Sequence, residues 1–252
     1  MNGTMYMVTH KKVKFIPRGR TPIYVGGAVG DKSDITDSTG DNIAYKNKNY
    51  CELTAMYWIW KNDLESDVVS IEHYRRFWRK NRFIPRILEK KEIESLLDEY
   101  DYIVSRYFRT VMPSGEYYKK WHHGEDMILA KEAIHNLYPE YESSFNNVMN
   151  DNELCMLNML IMKKGDFDRY CEWLFNVLFY IEERTDVSGR TEYQKRAYGF
   201  LGERLFNVWL DYQNANVGHL KIYYRDVNSL KSILKSWYHS IPRPYNPKGE
   251  RL

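Results

Sequence analysis

Residues 67–77 read DVVSIEHYRRF. Val68, Val69 and Ile71 make a short β-branched apolar run, the pattern of a strand buried on both faces. The run stops at Glu72, and His73, Tyr74, Arg75 and Arg76 follow at once. A buried strand that ends in such a cluster delivers it to one edge of a sheet. Arginine offers a planar fork of donors that matches phosphate oxygens, and histidine and tyrosine can stack or donate beside it. The segment therefore predicts a phosphate-holding edge built from His73, Tyr74, Arg75 and Arg76. The alternative is plainer: both arginines are surface charges and His73 closes a strand end.

On either side of this strand, apolar runs and helical periodicities alternate. MYMVT (5–9) is a first strand opening into His10, Lys11 and Lys12, and a second lies at 23–25. Residues 26–42, rich in Gly, Asp, Ser and Thr, form a long surface loop, the kind that often carries function. Leu53, Met56, Tyr57 and Trp60 share one face of a helix over 49–61, with Asn47 or Asn49 as its cap. A charged helix over 89–99, a strand at 102–104 and a helix over 125–136 follow. LCMLNMLIM (154–162) is a buried strand, Phe167 to Ile181 recur at helical spacing, a helix covers 200–210, and a last strand covers 217–224. This alternation predicts an α/β domain over 1–228 with a mostly parallel sheet flanked by helices. Ligands bind such sheets outside the carboxyl ends of the strands, so the loop at His10 and the cluster His73–Arg76 are expected on one edge. Residues 229–252 are set apart as a basic, aromatic C-terminal tail. Its last twelve residues hold three prolines and are expected to be irregular. Its composition also suits peripheral contact with a membrane.

Composition narrows the classes. A net charge of +3 is too small for a nucleic-acid footprint but suits an anionic substrate. Cys51, Cys155 and Cys171 are scattered, without a CxxC pair, which argues against a disulfide framework or a structural zinc site. The N-terminus has no signal-like apolar region and no apolar run reaches spanning length, so a cytoplasmic protein is expected, resting at most on the inner face of the membrane. Walker, GxGxxG and GxSxG patterns are absent.

Three further groups carry candidate chemistry. Asp41 and Asn42, in a glycine-containing loop, could hold ribose or sugar hydroxyls, or simply form a turn. Glu203, in GFLGERL (199–205), could serve as a general base, a role worth roughly 100- to 10,000-fold in rate. It is also the residue type that favours a helix start. Asp126, behind His122, His123 and Glu125, is the rival carboxylate, and the spacing there matches no strong metal motif.

TGDNIAYKNKNYCELTAMYWIWKN (39–62), DVVSIEHYRRF (67–77), NMLIMKKGDFDRYCEWLFNVLFYIEER (158–184) and RAYGFLGERLFNVWL (196–210) follow one another in order. Together they closely resemble a bacterial family of capsular and exopolysaccharide biosynthesis glycosyltransferases, long labelled a domain of unknown function, which includes galactosyl- and galactofuranosyltransferases. The resemblance implies a GT-A-like fold with a Rossmann-related mixed sheet flanked by helices in a single domain, a nucleotide-sugar donor that is UDP-linked, and a capsular, exopolysaccharide or O-antigen glycan as acceptor, free or lipid-linked. It places Thr9, His10 and Lys11 near the nucleotide and Asn158 and Met159 in the strand that lines the acceptor site. It also makes Glu203 the first choice for the base, with Asp126 second. GT-A enzymes commonly hold Mn or Mg through an Asp-x-Asp motif, whereas the comparable strand here ends in Glu72-His73-Tyr74-Arg75-Arg76. Either Arg and His supply the metal's charge or a metal binds elsewhere; metal independence is the expectation. The implied reaction is a single inverting displacement, with Arg75, Arg76 and His73 stabilising the departing diphosphate. A catalytically inactive glycan- or nucleotide-sugar-binding module on the same scaffold, or a nucleotide-sugar hydrolase, are the competing classes.

Overall fold

Strand residues alternate between two apolar layers. Met5, Val68, Ile103 and Ile161 face a smaller cluster, while Tyr6, Val8, Val69, Ile71, Val104, Leu160 and Met162 face a larger one. Strands covered on both faces need no polar alternation, which explains the continuous apolar runs. The computed structural model describes residues 2–28, 30, 34–80, 85–226 and 229–238. In chain order the elements are β1 (Gly3–Thr9), β2 (Thr21–Tyr24), β3 (Ile35–Thr36), α1 (Asn47–Tyr50), α2 (Leu53–Asn62), β4 (Val68–His73), β5 (Arg76–Lys80), β6 (Arg86–Ile87) and α3 (Lys90–Leu96). Then come β7 (Tyr102–Ser105), β8 (Phe108–Arg109), α4 (Ser114–Trp121), α5 (Glu125–Leu137), α6 (Glu142–Asn150), β9 (Glu153–Leu154), β10 (Leu160–Lys163), α7 (Lys164–Glu182), α8 (Ala197–Gln213), β11 (Val217–Tyr224) and α9 (Ser229–Tyr238).

Among the described residues, nine strands form one sheet in the order β3-β2-β1-β4-β10-β7-β11-β5-β6, and β8 pairs with β9 apart from it. The sheet is mixed, as the family resemblance implies, rather than mostly parallel, as the alternation of elements predicts. β1 is parallel to β2 and β4, and β7 to β11, but β10 runs antiparallel between β4 and β7. Two local causes account for the difference. Tyr74 and Arg75 form a two-residue turn that folds β5 back on β4, pairing His73 with Arg76. The run 154–162 is not one strand, because Leu157 and Asn158 take φ of 81° and 49°. Left-handed backbone at two consecutive non-glycine residues ends a strand, and β10 starts afresh at Leu160.

The helix expected over 49–61 is likewise broken, at Cys51 (φ 54°). Neither asparagine caps it in the expected way: the Asn47 amide donates to the Cys51 carbonyl (2.8 Å) and to Thr54 Oγ1 (2.9 Å). Helices α2, α7 and α8 carry the larger core against one face of the sheet, and α3 packs on β1 at the other. The segment set apart as a tail begins with helix α9, which packs on β11, so residues 229–238 continue the fold; residues 239–252 lie outside the described residues. Among the described residues no helix is long and apolar enough to cross a membrane.

Candidate functional site

β1 and β4 are parallel neighbours, with Val8 opposite His73, so both end at one sheet edge. The loops that follow meet there: the His10 and Tyr74 rings pack edge to face at 5.2 Å. Helix α1, the α1–α2 junction, the segment ahead of α8 and α8 itself close the other side of a cleft of about 580 Å³. From the strand side Thr9, His10, His73, Tyr74 and Arg76 line it; from the helix side Cys51, Glu52, Arg196, Phe200 and Glu203 do, with Leu157 between.

Close helix packing makes this possible. A Cβ at Gly199 would stand 3.2 Å from Cys51 Sγ, and one at Gly202 only 2.8 Å from Leu53 Cδ1. The two glycines of GFLG let α8 approach the α1–α2 junction and set Glu203 against the cleft. α8 begins at Ala197, so Glu203 sits near the end of its second turn; the expected role of a first-turn acid does not apply. Gly202→Val is expected to destabilise by about 1–3 kcal/mol, as overpacking of a tight site does. A urea midpoint equal to that of the parent would refute this account of the close contact.

The left-handed kink at Leu157–Asn158 is held from four directions. The Leu157 N–H donates to Glu203 Oε1 (2.8 Å), and its carbonyl accepts from His73 Nε2 (2.8 Å). The buried Asn158 amide donates to Glu52 Oε1 (2.8 Å) and to the Gly199 carbonyl (3.3 Å). Left-handed non-glycine residues cost roughly 1–3 kcal/mol each and persist where their surroundings over-determine them, commonly at functional sites.

Charges of both signs line the cleft. Glu203 exposes 12% of its side chain, and Oε2 accepts from Arg204 Nη1 at 3.0 Å. Burial, reinforced by the charge of Glu52, raises its pKa against the opposing pull of Arg204. His73 is driven the other way: burial lowers its pKa to about 4, so at neutral pH it is an uncharged donor to Leu157 and not a cation. Positive charge comes from two guanidinium groups, with Lys48 of α1 also on the lining. The Arg76 side chain forms no hydrogen bond or ion pair among the described residues, and the Arg196 guanidinium hydrogen-bonds only through Nε, on Cys51 Sγ at 3.1 Å. Glu72, the next residue to His73, is fully buried; it takes two hydrogen bonds from Arg20 (2.6 and 3.1 Å) and one from the Trp78 N–H (2.7 Å).

Several expected site residues stand elsewhere. Arg75 is the exposed second residue of the turn and does not line the cleft. Lys11 is exposed beside it, 5.2 Å from the Tyr74 ring. Asp126 is buried in a two-pronged ion pair with Arg190 (2.7 and 2.8 Å) and accepts from the Tyr118 hydroxyl (3.0 Å), which leaves it no access to a substrate. Asp41 accepts from the Tyr57 hydroxyl (3.2 Å) and Asn42 bonds its own turn, both at the far end of α2. Met159 is buried in the smaller apolar cluster, and Asn158 reaches the cleft only through Glu52. Glu52 and Arg196 were not among the expected residues. Arg196 had a signal: a cation immediately before a helix opposes the helix dipole. Among the described residues no three His, Cys, Asp or Glu side chains converge as a metal group. The three carboxylates of the cleft are all engaged, Glu52 with Asn158, Glu192 with Lys195 and Glu203 with Leu157 and Arg204, and two guanidinium groups stand among them, a donor set that does not fit a resident divalent cation.

Residues 4–214 match the family model described as "Domain of unknown function (DUF4422)". The chain belongs to that family. All four sequence blocks that carry the resemblance fall within the matched DUF4422 region. No curated protein matches it. Among solved structures, the apo structure of the WbbM bifunctional glycosyltransferase superposes with a TM-score of 0.81 at 24% identity, over 91% of this chain and 48% of the other. At that identity the likeness establishes a shared fold, and this DUF4422 chain spans about half the length of that protein.

Proposed function

We propose that the cleft binds a nucleoside-diphosphate sugar and transfers the sugar to an acceptor hydroxyl. The observation that carries this is the placement of two guanidinium groups, Arg76 from the strand side and Arg196 from the helix side, with no ion pair among the described residues, in the cleft that also holds Glu52 and Glu203. The shared fold with a glycosyltransferase supports the same conclusion. In the proposed step the acceptor oxygen attacks the anomeric carbon as the bond from that carbon to the diphosphate oxygen breaks. The electron pair leaves with the diphosphate, whose growing charge meets Arg76 and Arg196. The hydroxyl proton passes to Glu203, while Glu52 and Asn158 hold the kinked loop beneath it. One displacement with one base inverts the anomeric centre. No step calls on a metal ion, since the guanidinium groups supply the positive charge. The family resemblance supplies the finer assignment: a UDP-linked hexose, galactose or galactofuranose, and a capsular, exopolysaccharide or O-antigen acceptor.

Calorimetric titration with UDP, in the presence of EDTA, tests the phosphate site. Arg76→Ala is expected to weaken binding about 10- to 100-fold, the roughly 1.5–3 kcal/mol of a charge-assisted hydrogen bond. Arg75→Ala, in the exposed turn, is expected to change it less than about threefold. Equal losses in the two variants, or none with Arg76→Ala, would overturn the assignment.

A further inference from the structure

Helix α9 is turned inside out. Leu230, Leu234, Trp237 and Tyr238 recur at i, i+4, i+7 and i+8 and so share one stripe. In a helix that serves a core this stripe faces inward. Here Leu230 is 63% exposed, Leu234 60% and Trp237 49%, while Ser232 and Ser236, four residues apart on the opposite side, are the buried ones. The buried face is held by polar contacts. Ser232 Oγ accepts from the Asp226 N–H (2.7 Å), Ser236 Oγ accepts from the Tyr224 N–H (2.8 Å), and Arg79 Nη1 donates to the Ser236 carbonyl (3.1 Å). Those bonds fix the rotation of the helix, so the outward direction of the leucines and the tryptophan is built in. An apolar stripe held toward water has unfavourable hydration unless something covers it.

Charge indicates what covers it. Lys231 and Lys235 are exposed and flank the stripe on one side, Lys235 in a loose surface ion pair with Asp226 at 3.8 Å. The loop that follows β1 adds exposed Lys11, Lys12, Lys14 and Arg18, with Ile16 exposed among them. It abuts the chain just ahead of α9, where Phe15 lies 3.9 Å from the Arg225 guanidinium. Apolar residues with Trp and Tyr on one face and lysines at its border are the composition of a helix that lies in a lipid interface. A protein partner that buried the same stripe would have to match the basic border with acidic residues, whereas an anionic headgroup layer does so at any orientation about its normal.

We propose that the outward face of α9 docks this protein on an anionic lipid surface, with Leu230, Leu234 and Trp237 in the headgroup–acyl boundary and the flanking lysines on the headgroups. β11 is parallel to β7, and β7 to β4 through their shared antiparallel neighbour β10, so β11 ends at the same sheet edge as the cleft. Docked through the helix that follows β11, the cleft opens next to the lipid. If the transferase assignment above holds, a lipid-linked acceptor reaches Glu203 from that side; the docking itself does not rest on that assignment.

Co-sedimentation of the full chain with vesicles tests it. The parent is expected to bind vesicles containing phosphatidylglycerol at least about tenfold more strongly than vesicles of phosphatidylcholine alone, and to be released by high salt. Leu234→Asp with Trp237→Asp is expected to cut binding at least about tenfold, because two charges would enter the boundary, while leaving UDP affinity and melting temperature unchanged. Trp237→Phe is expected to keep binding and lose the part of the fluorescence that acyl-brominated lipid quenches. Failure of the parent to bind anionic vesicles at low salt, or equal binding by the double-aspartate variant, overturns the proposal. So does a concentration-dependent dimer without lipid that the double-aspartate variant abolishes, since a second copy would then cover the stripe. Vesicle binding without UDP binding would leave the docking standing and sink only the transferase assignment.

Discussion

Glu203→Gln is expected to lower kcat by about 100- to 10,000-fold while UDP affinity changes less than about threefold. The amide keeps the volume of the carboxylate and still presents an oxygen to the Leu157 N–H and to Arg204, whose present distances are 2.8 and 3.0 Å. The loop and helix α8 therefore stay in place, and what disappears is the capacity to accept a proton. The pH profile gives a second readout. Burial and Glu52 raise the pKa of Glu203, so the base is deprotonated only above the ordinary carboxylate range. kcat/KM should be full at higher pH and fall as pH drops through that raised value. Glu203→Gln should abolish this limb, whereas His73, already neutral with its pKa lowered to about 4, contributes none near neutrality. Glu52→Gln separates the two carboxylates. It removes a charge that raises the pKa of Glu203, so the limb should move to lower pH and survive. If Glu52→Gln costs more in kcat than Glu203→Gln and removes the limb, the base is Glu52 and the assignment of Glu203 fails.

The strand frame was legible in the sequence because a doubly covered strand must be apolar at every position. β1, β4 and β7 announce themselves that way through their runs of buried apolar residues. The site was legible where it follows directly from a strand end, at His10, His73, Tyr74 and Arg76. It was illegible where it depends on turns and on contacts distant in sequence. Arg75 and Arg76 are adjacent and identical in type, and only the hairpin pairing His73↔Arg76 separates the exposed one from the one in the cleft. Glu52 sits between a cysteine and a leucine in an apolar stretch, and the left-handed Cys51 that turns it toward the cleft leaves no mark a composition rule can find. The kink at Leu157–Asn158 is equally silent, because neither a leucine nor a strand-like run predicts positive φ. It depends on Glu203, His73 and Glu52, which lie far from it in the chain.

Asp126→Ala is expected to destabilise the protein by about 3–5 kcal/mol, because it leaves the Arg190 guanidinium buried without its counter-charge. Sequence alone made Asp126 a rival for the catalytic base, and the two roles separate cleanly by measurement. The carboxylate accepts both Arg190 Nη groups at 2.8 and 2.7 Å and the Tyr118 hydroxyl at 3.0 Å, with side-chain exposures of 1% for Asp126 and 8% for Arg190. That geometry ties α5 to the segment between α7 and α8, just ahead of Arg196. A base lost to alanine would depress kcat in a protein that melts normally. A structural pair lost to alanine lowers the urea midpoint, while the folded fraction turns over at a rate near that of the parent. Replacing both partners, Asp126→Leu with Arg190→Met, is expected to recover most of the lost stability, since apolar groups of similar volume remove the stranded charge that the single variant creates. If the single variant unfolds at the parent's urea concentration, the pair carries no such stability. If the double variant is less stable than the single one, the cost lies in lost packing and the electrostatic account of Asp126 is wrong.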